Sequence, residues 1–220
     1  MKRSPSKARR PSFRLERRAL REGLVAIAGI DEAGCAPLAG PVVAAAVMLD
    51  PKRIPKGIND SKLVPEEERE KLYEKIVAVA VWAVGAATVE EIDRFNILRA
   101  RLVAMRRAVR ALPRQPEIAF IDGNRSPRLR CRSELVIHGD GRCLSIAAAS
   151  IVAKVTRDRM MRELARLHPE YGWDSNKGYG TRDHRAALVR LGPTPHHRVS
   201  FRPIHNLLYA AESEKSLLTN

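Results

Sequence analysis

Three apolar stretches of this chain each run into an acid. "VAIAGIDE" reaches Asp31 with Glu32 directly behind it, "EIAFIDG" reaches Asp122, and "ELVIHGDG" leads to Asp140. Short apolar runs bounded by glycine-rich turns predict buried strands. If the three strands lie side by side and parallel, four carboxylates converge on one edge of a sheet. Like charges packed in this way repel and raise each other's pKa unless a cation is present. Hard divalent cations with oxygen ligands, Mg²⁺ or Mn²⁺, suit such a set. A pair of them about 3.5 to 4 Å apart is the device for in-line displacement at a phosphodiester. Taken singly, Asp122-Gly123-Asn124 and Asp140-Gly141 also read as ordinary turns, which favour Asp and Gly, and Glu32 reads as a surface residue. The coincidence of three strand-terminal acids in a basic chain points to the chemistry.

The elements that must position these acids follow from periodicity and turn signals. Residues 24–31 and 41–49 predict two strands, the second apolar enough to be buried on both faces. Pro65 opens an amphipathic helix with Glu66, Glu67 and Glu68 in its first turn, where they complement the dipole. Residues 81–89 predict a third strand, and 96–112 a helix with Ile97, Leu98, Leu102, Met105 and Val109 on one side. The strand ending at Asp122 comes next, then one ending just before Asp140, then a long helix from Leu144. A loop containing "NKGYGT" leads to a shorter helix from about Thr181, and the last residues are weakly helical. Strands alternating with helices predict an α/β fold, a mixed sheet covered on both faces, with ligands at the carboxyl ends of its strands.

The formal net charge is +15 over 220 residues, which speaks to partners: the commonest cytoplasmic polyanion is nucleic acid. An arginine-rich proteome would give the same excess. From Met1 to Glu22 there are nine Lys or Arg against two Glu, so much of the charge sits in a leader that reads as flexible. The three cysteines, Cys35, Cys131 and Cys143, lack metal-type spacing and point to a reducing cytoplasm. No apolar run reaches the roughly 18 to 20 residues of a membrane span, and no secretory signal follows the basic start.

Beyond the acids, several motifs resemble those of bacterial ribonuclease HII, the type 2 ribonucleases H. "AGIDEAG" with "PLAGPVVAAAV" opens the match, followed by "GINDSK", "EEID", "NIL", "IDGNRSP", "HGD", "SIAAASIVAKVTRDRMM", "KGYGT" and "HHRVSF", from about Leu24 to Phe201. The resemblance implies a ribonuclease H-like mixed five-stranded sheet with helices on both faces. It divides the chain into a basic, flexible leader over 1–22, a catalytic domain over 23–205 and a C-terminal helix or tail over 206–220. It implies a Mg²⁺- or Mn²⁺-dependent endonuclease, monomeric and cytoplasmic, serving ribonucleotide excision. Its partners would be RNA/DNA hybrids and ribonucleotide-containing duplex DNA, and the products 3′-hydroxyl and 5′-phosphate ends.

By motif position, the catalytic and metal-holding acids fall on Asp31, Glu32, Asp122 and Asp140, the set reached from the strand ends. Lys62 of "DSK" falls beside the active site or a phosphate. Tyr179 of "KGY" falls at the sugar following the ribonucleotide, where it discriminates by shape. Ser150 and Lys154 are implied to face the acids, although Lys154 and Asp158 also have the spacing of a surface ion pair. His184 and His197 read as structural, because a metal-activated water needs no histidine base.

One motif departs. The family pattern after the acidic pair is Gly-Arg-Gly, whose backbone meets the 2′-hydroxyl and whose arginine approaches a phosphate; here it is Gly34-Cys35-Ala36. Cys35 lacks a fork of donors and a permanent charge, and Ala36 adds a methyl group that disfavours positive φ. Loss of one charged hydrogen bond, about 1.5 to 3 kcal/mol, predicts junction recognition roughly ten- to a hundred-fold weaker. A competing reading is a hybrid-binding protein of the same fold that has lost catalysis, and a third keeps the nuclease but directs it to DNA junctions.

Overall fold

The computed structural model describes residues 10–209. Its sheet is seeded by two apolar runs, β1 (Ile27–Ala33) and β2 (Val42–Met48), antiparallel neighbours with Asp31 opposite Ala45 and Glu32 opposite Ala44. β3 (Val81–Ala87) pairs antiparallel with the outer edge of β2. β4 (Ile118–Asp122) and β5 (Arg132–Val136) extend the other side in parallel, giving the order β3-β2-β1-β4-β5. The expected mixed sheet of five strands is present, and the three strands that lead to acids are neighbours and parallel. β5 is shorter than expected: it stops at Val136, and Asp140 sits beyond it in a 3-10 turn, Gly139–Gly141.

The helices are α1 (Arg14–Arg21), α2 (Glu66–Val79), α3 (Val89–Phe95), α4 (Ile97–Arg110), α5 (Leu144–Leu167), α6 (Trp173–Asn176) and α7 (Arg182–Leu191). Side chains alternate across β2. Val42, Ala44, Ala46 and Met48 join a core with Ala100, Ala104 and Ala108 of α4. Ala45 and Val47 join a second core with Leu72 and Ile76 of α2 and Ile151 and Val152 of α5. Both faces are therefore covered, and small residues let the helices press on the sheet. A Cβ on Gly85 would lie 2.4 Å from the Ala108 nitrogen, and one on Gly29 would lie 2.0 Å from the Ser145 carbonyl carbon, so only glycine admits these helices.

Three helices were not expected: α1, α3 and the one-turn α6. The third strand ends at Ala87, not at residue 89, because Thr88 forms a capping box with Glu91 and starts α3. α1 falls inside the stretch expected to be a flexible leader. It is docked on the domain by Glu16, which is buried and accepts the Ser145 N–H (2.8 Å) and hydroxyl (2.9 Å) at the start of α5. The carboxylate thus satisfies an otherwise orphaned helix N-terminal donor and meets the positive end of the dipole. At the other end, residues 202–209 are helical, four residues ahead of the expected boundary. The rest of the basic leader, 1–9, and of the tail, 210–220, lies outside the described residues. Among the described residues no helix is long and apolar enough to cross a membrane.

Candidate active site

β1 and β4 are in register at Ile30 and Ile121, so the next residue on each, Asp31 and Asp122, end side by side. Asp31 is buried and accepts the Glu32 N–H at 2.7 Å. Asp122 accepts the Gly139 N–H at 2.7 Å, which ties β4 to the turn bearing Asp140. Glu32 points to the opposite face of the sheet, where Arg101 of α4 donates to its Oε1 at 2.9 Å. The thiol of Cys35 lies 3.7 Å from that same oxygen, while Oε2 is buried with no partner.

Burial, then the charges of Glu32 and Asp122, push the Asp31 carboxyl well above the usual carboxylate range. Asp122 is raised by burial and by Glu32, and Asp140 by burial and by Asp60 and Asp122. Hard oxygen donors, a carboxylate oxygen without a partner and acids raised by mutual repulsion fit a divalent cation. As the side chains stand, no three acids among the described residues are drawn together closely enough to enclose an ion. The donor chemistry fits; the cage is not closed.

The turn after the acids is held by two buried arginines that sequence reading passed over. Arg157 donates to the carbonyls of Pro41, Ala39 and Lys177, each at 3.0 Å. Arg198 donates to Gly34 (2.7 Å), Cys35 (3.1 Å) and Gly40 (2.8 Å). Burial and the neighbouring Arg157 lower Arg198 to about 9. Their signal in the sequence was weak, because Arg157 is one of four arginines in α5 and Arg198 stands among polar neighbours in "HHRVSF". Gly34 has φ +95°, and a Cβ there would lie 2.0 Å from Arg157 Nε. Ala36 is exposed and is not among the residues with positive φ, so the strain expected of it is absent. Burial and the Glu32 charge push the Cys35 thiol up to about 12, which keeps it neutral.

Tyr179 is 45% exposed on the loop that follows α6. That loop is laced to the turn by Leu38 N–H to the Gly178 carbonyl at 2.8 Å. Behind it lies a buried chain of rings. Thr194 N–H donates to His197 Nδ1 at 2.9 Å, so His197 donates from Nε2 to His184 Nε2 at 3.0 Å. His184 then donates from Nδ1 to the Tyr179 carbonyl at 2.9 Å. Burial lowers both, His197 to about 3. These histidines are neutral and structural, as their sequence context suggested.

The structure brings Lys62 to the acids, with Nζ 3.5 Å from Asp140 Oδ2. Burial opposes its charge, but Asp60, Asp140 and Asp31 outweigh that and raise its pKa. Ser150 and Lys154 are not brought there. Ser150 is buried, donates to the Ala147 carbonyl and accepts the Ser61 N–H, so it anchors the turn that presents Lys62. Lys154 pairs with Asp158 at 2.7 Å, and Asp158 is buried beside Arg69, not on the surface as its spacing suggested.

Arginine lines the ground beyond the acids. Two adjoining cavities of about 570 and 770 Å³ share Arg106 and Arg128, and the larger reaches Arg125, three residues past Asp122. None of Arg99, Arg106, Arg110, Arg125, Arg128 or Arg130 has an acidic partner among the described residues.

Known proteins resemble this chain in sequence and in fold. The family model of ribonuclease HII matches residues 28–204. A ribonuclease HII of Cereibacter sphaeroides is 56% identical over 204 residues, covering 92% of this chain and 96% of the relative. The ribonuclease H2 structure from Pyrococcus horikoshii superposes with a TM-score of 0.69 at 26% identity, over 82% of this chain and 96% of that one. Bst-RNase HIII in complex with Mn²⁺ superposes with a TM-score of 0.70 over 87% of this chain and 72% of that one; at 21% identity this is a likeness of fold.

Proposed function

This chain belongs to the ribonuclease HII family, and from that premise we propose that its sheet-edge acids cut both RNA/DNA hybrids and single ribonucleotides embedded in duplex DNA. Ribonuclease H endonuclease activity is the activity of the family. The observation that carries the finer reading is the placing of Asp31, Glu32 and Asp122 at the carboxyl ends of β1 and β4, with Asp140 in the turn after β5 that Asp122 holds. These four acids would hold Mg²⁺ or Mn²⁺ as a pair, which would supply Lewis-acid activation of a water and stabilisation of the departing 3′ oxygen.

The chain's own residues then bind and orient. The carboxylates sit on strands and a bonded turn, so their positions are set before substrate arrives. Lys62, cationic and exposed beside Asp140, meets a phosphate of the cleaved strand. The backbone of Gly34-Cys35-Ala36, clamped by Arg198, meets the 2′-hydroxyl, and the Tyr179 ring meets the next sugar. Because Ala36 keeps an ordinary φ, the weakening expected from the altered motif falls on Cys35. Ser150 and Lys154 position neighbours and do not touch substrate. One catalytic domain carries this work and includes α1. Its free thiols at Cys35, Cys131 and Cys143 suit a reducing cytoplasm.

The test is incision of a labelled DNA duplex carrying one ribonucleotide, with Mg²⁺ and with Mn²⁺, beside a continuous hybrid and an Asp31→Asn control. Metal-dependent cutting on the 5′ side of the ribonucleotide, lost in the control, is expected. Cutting of the continuous hybrid alone would remove the junction reading, and binding without cutting of either would remove the catalytic one.

A further inference from the structure

The altered turn carries no arginine of its own, yet a guanidinium stands beside it. Arg101 Nη1 and Cys35 Sγ both approach Oε1 of Glu32, at 2.9 and 3.7 Å, so a side chain from α4 meets the turn at the atom that residue 35 also touches. Most of the Arg101 fork is unused by the protein. Nε is buried without a partner, and among the described residues the only hydrogen bond from the side chain is the one from Nη1. The side chain is 19% exposed, so most of it is packed while part of it stays open to solvent. A guanidinium has five N–H donors in a planar fork, and one edge can hold a carboxylate while the other meets a phosphate.

We propose that Arg101 is the phosphate-binding cation of this turn and replaces, from a different element, the arginine absent at position 35. The inference rests on reading Gly34-Cys35-Ala36 as the ribonucleotide-recognition turn. It makes Arg101 a specificity-determining residue, whereas a simple counter-ion for Glu32 would act on the acids alone. The two roles separate by experiment. A counter-ion's loss disturbs a carboxylate and therefore turnover; a phosphate contact's loss weakens substrate binding and removes one charge from the salt dependence.

The full chain and its Arg101→Gln, Arg101→Lys, Cys35→Arg and Cys35→Arg/Arg101→Gln variants are compared after thermal melts confirm that each is folded. Fluorescence anisotropy in EDTA, over a range of KCl, measures affinity for a DNA duplex with one ribonucleotide, and steady-state kinetics with Mg²⁺ give kcat and KM. Arg101→Gln is expected to weaken binding roughly ten- to a hundred-fold and to flatten the log K against log salt slope by about one. KM should rise by more than kcat falls, since the lost ion pair with Glu32 touches turnover as well. Arg101→Lys keeps the slope, and Cys35→Arg restores affinity in the Arg101→Gln background. Unchanged affinity and slope with a fallen kcat would overturn the proposal, as would failure of Cys35→Arg to restore binding. Should the unaltered protein bind this duplex without cutting it, the catalytic reading fails while the anisotropy series still decides the role of Arg101.

Discussion

At the scale of single residues, the decisive feature is a buried carboxyl among its own kind. Asp31 is raised by burial and by Glu32 and Asp122, so between the ordinary aspartate value of 3.8 and its folded value the native state keeps a proton that the unfolded chain has released. Stability from this group is complete below that window and is lost as pH rises through it, at about 1.4 kcal/mol per unit. Asparagine at this position has nothing to release. Asp31→Asn should therefore melt higher than the unaltered protein in EDTA, with a gap that opens above pH 4 and widens with pH. Saturating Mg²⁺ or Mn²⁺ should close the gap from below, by stabilising the unaltered protein and not the variant. Thermal melts of both proteins across pH, with and without metal, make the check; a gap that ignores pH and metal would mean the four acids do not share a cation. These acids were legible in the sequence because Asp31, Glu32 and Asp122 close the apolar runs of β1 and β4 and Asp140 sits in the turn after β5. Their surroundings were not. The Arg101–Glu32 pair, the Arg157 and Arg198 clamps and the burial of Ser150 and Asp158 join residues far apart in the chain, and no local period records such contacts.

At the scale of elements, β1, β2, β4, α2, α4 and α5 announced themselves through apolar runs, helix periods and caps, and their observed ends lie within a few residues of the expected ones. α1 did not, because an arginine-rich segment gives the composition of a loose leader while a single acid decides its fate. Glu16 carries α1 into the fold by bonding the backbone and hydroxyl of Ser145 and approaching the Cys143 thiol at 3.1 Å. The same bond fixes the start of α5 where that helix crosses β1 at Gly29. Since β1 carries Asp31 and Glu32 near its carboxyl end, α1 reaches the acids through two packed elements. Glu16→Ala leaves a buried donor unsatisfied and removes a charge from the dipole, at a cost of about 1 to 3 kcal/mol. Chemical denaturation should show that loss as a lower midpoint. A midpoint unmoved by Glu16→Ala would make α1 an ornament of the surface.

At the scale of the whole molecule, a stretch of arginines without acidic partners adjoins the four acids. Four acids gather at one end of the sheet, while the arginines of the two adjoining cavities run on from Asp122 between α4 and the loop that leads to β5. Arg106 donates to the Pro127 carbonyl at 3.2 Å and so holds that loop against the helix, and Arg128 takes a left-handed φ of 54° beside it. Unpaired arginines in a row repel one another, and the arrangement gains its reason only when an external polyanion neutralises them. A duplex seated at the acids would place phosphates of its flank along this trench. Each contact made there releases condensed counterions, so affinity should fall with salt in proportion to the number of phosphates held. Replacing Arg125 and Arg128 together by Gln should lower affinity equally for hybrid, ribonucleotide-bearing and plain DNA duplexes. It should reduce the salt slope by about two while kcat at saturating substrate stays close to its original value. Anisotropy titrations over KCl with the three duplexes, beside single-turnover cutting, measure both. A loss confined to the ribonucleotide-bearing duplex would instead draw these arginines into recognition of the sugar, the role proposed for the 34–36 turn and Tyr179.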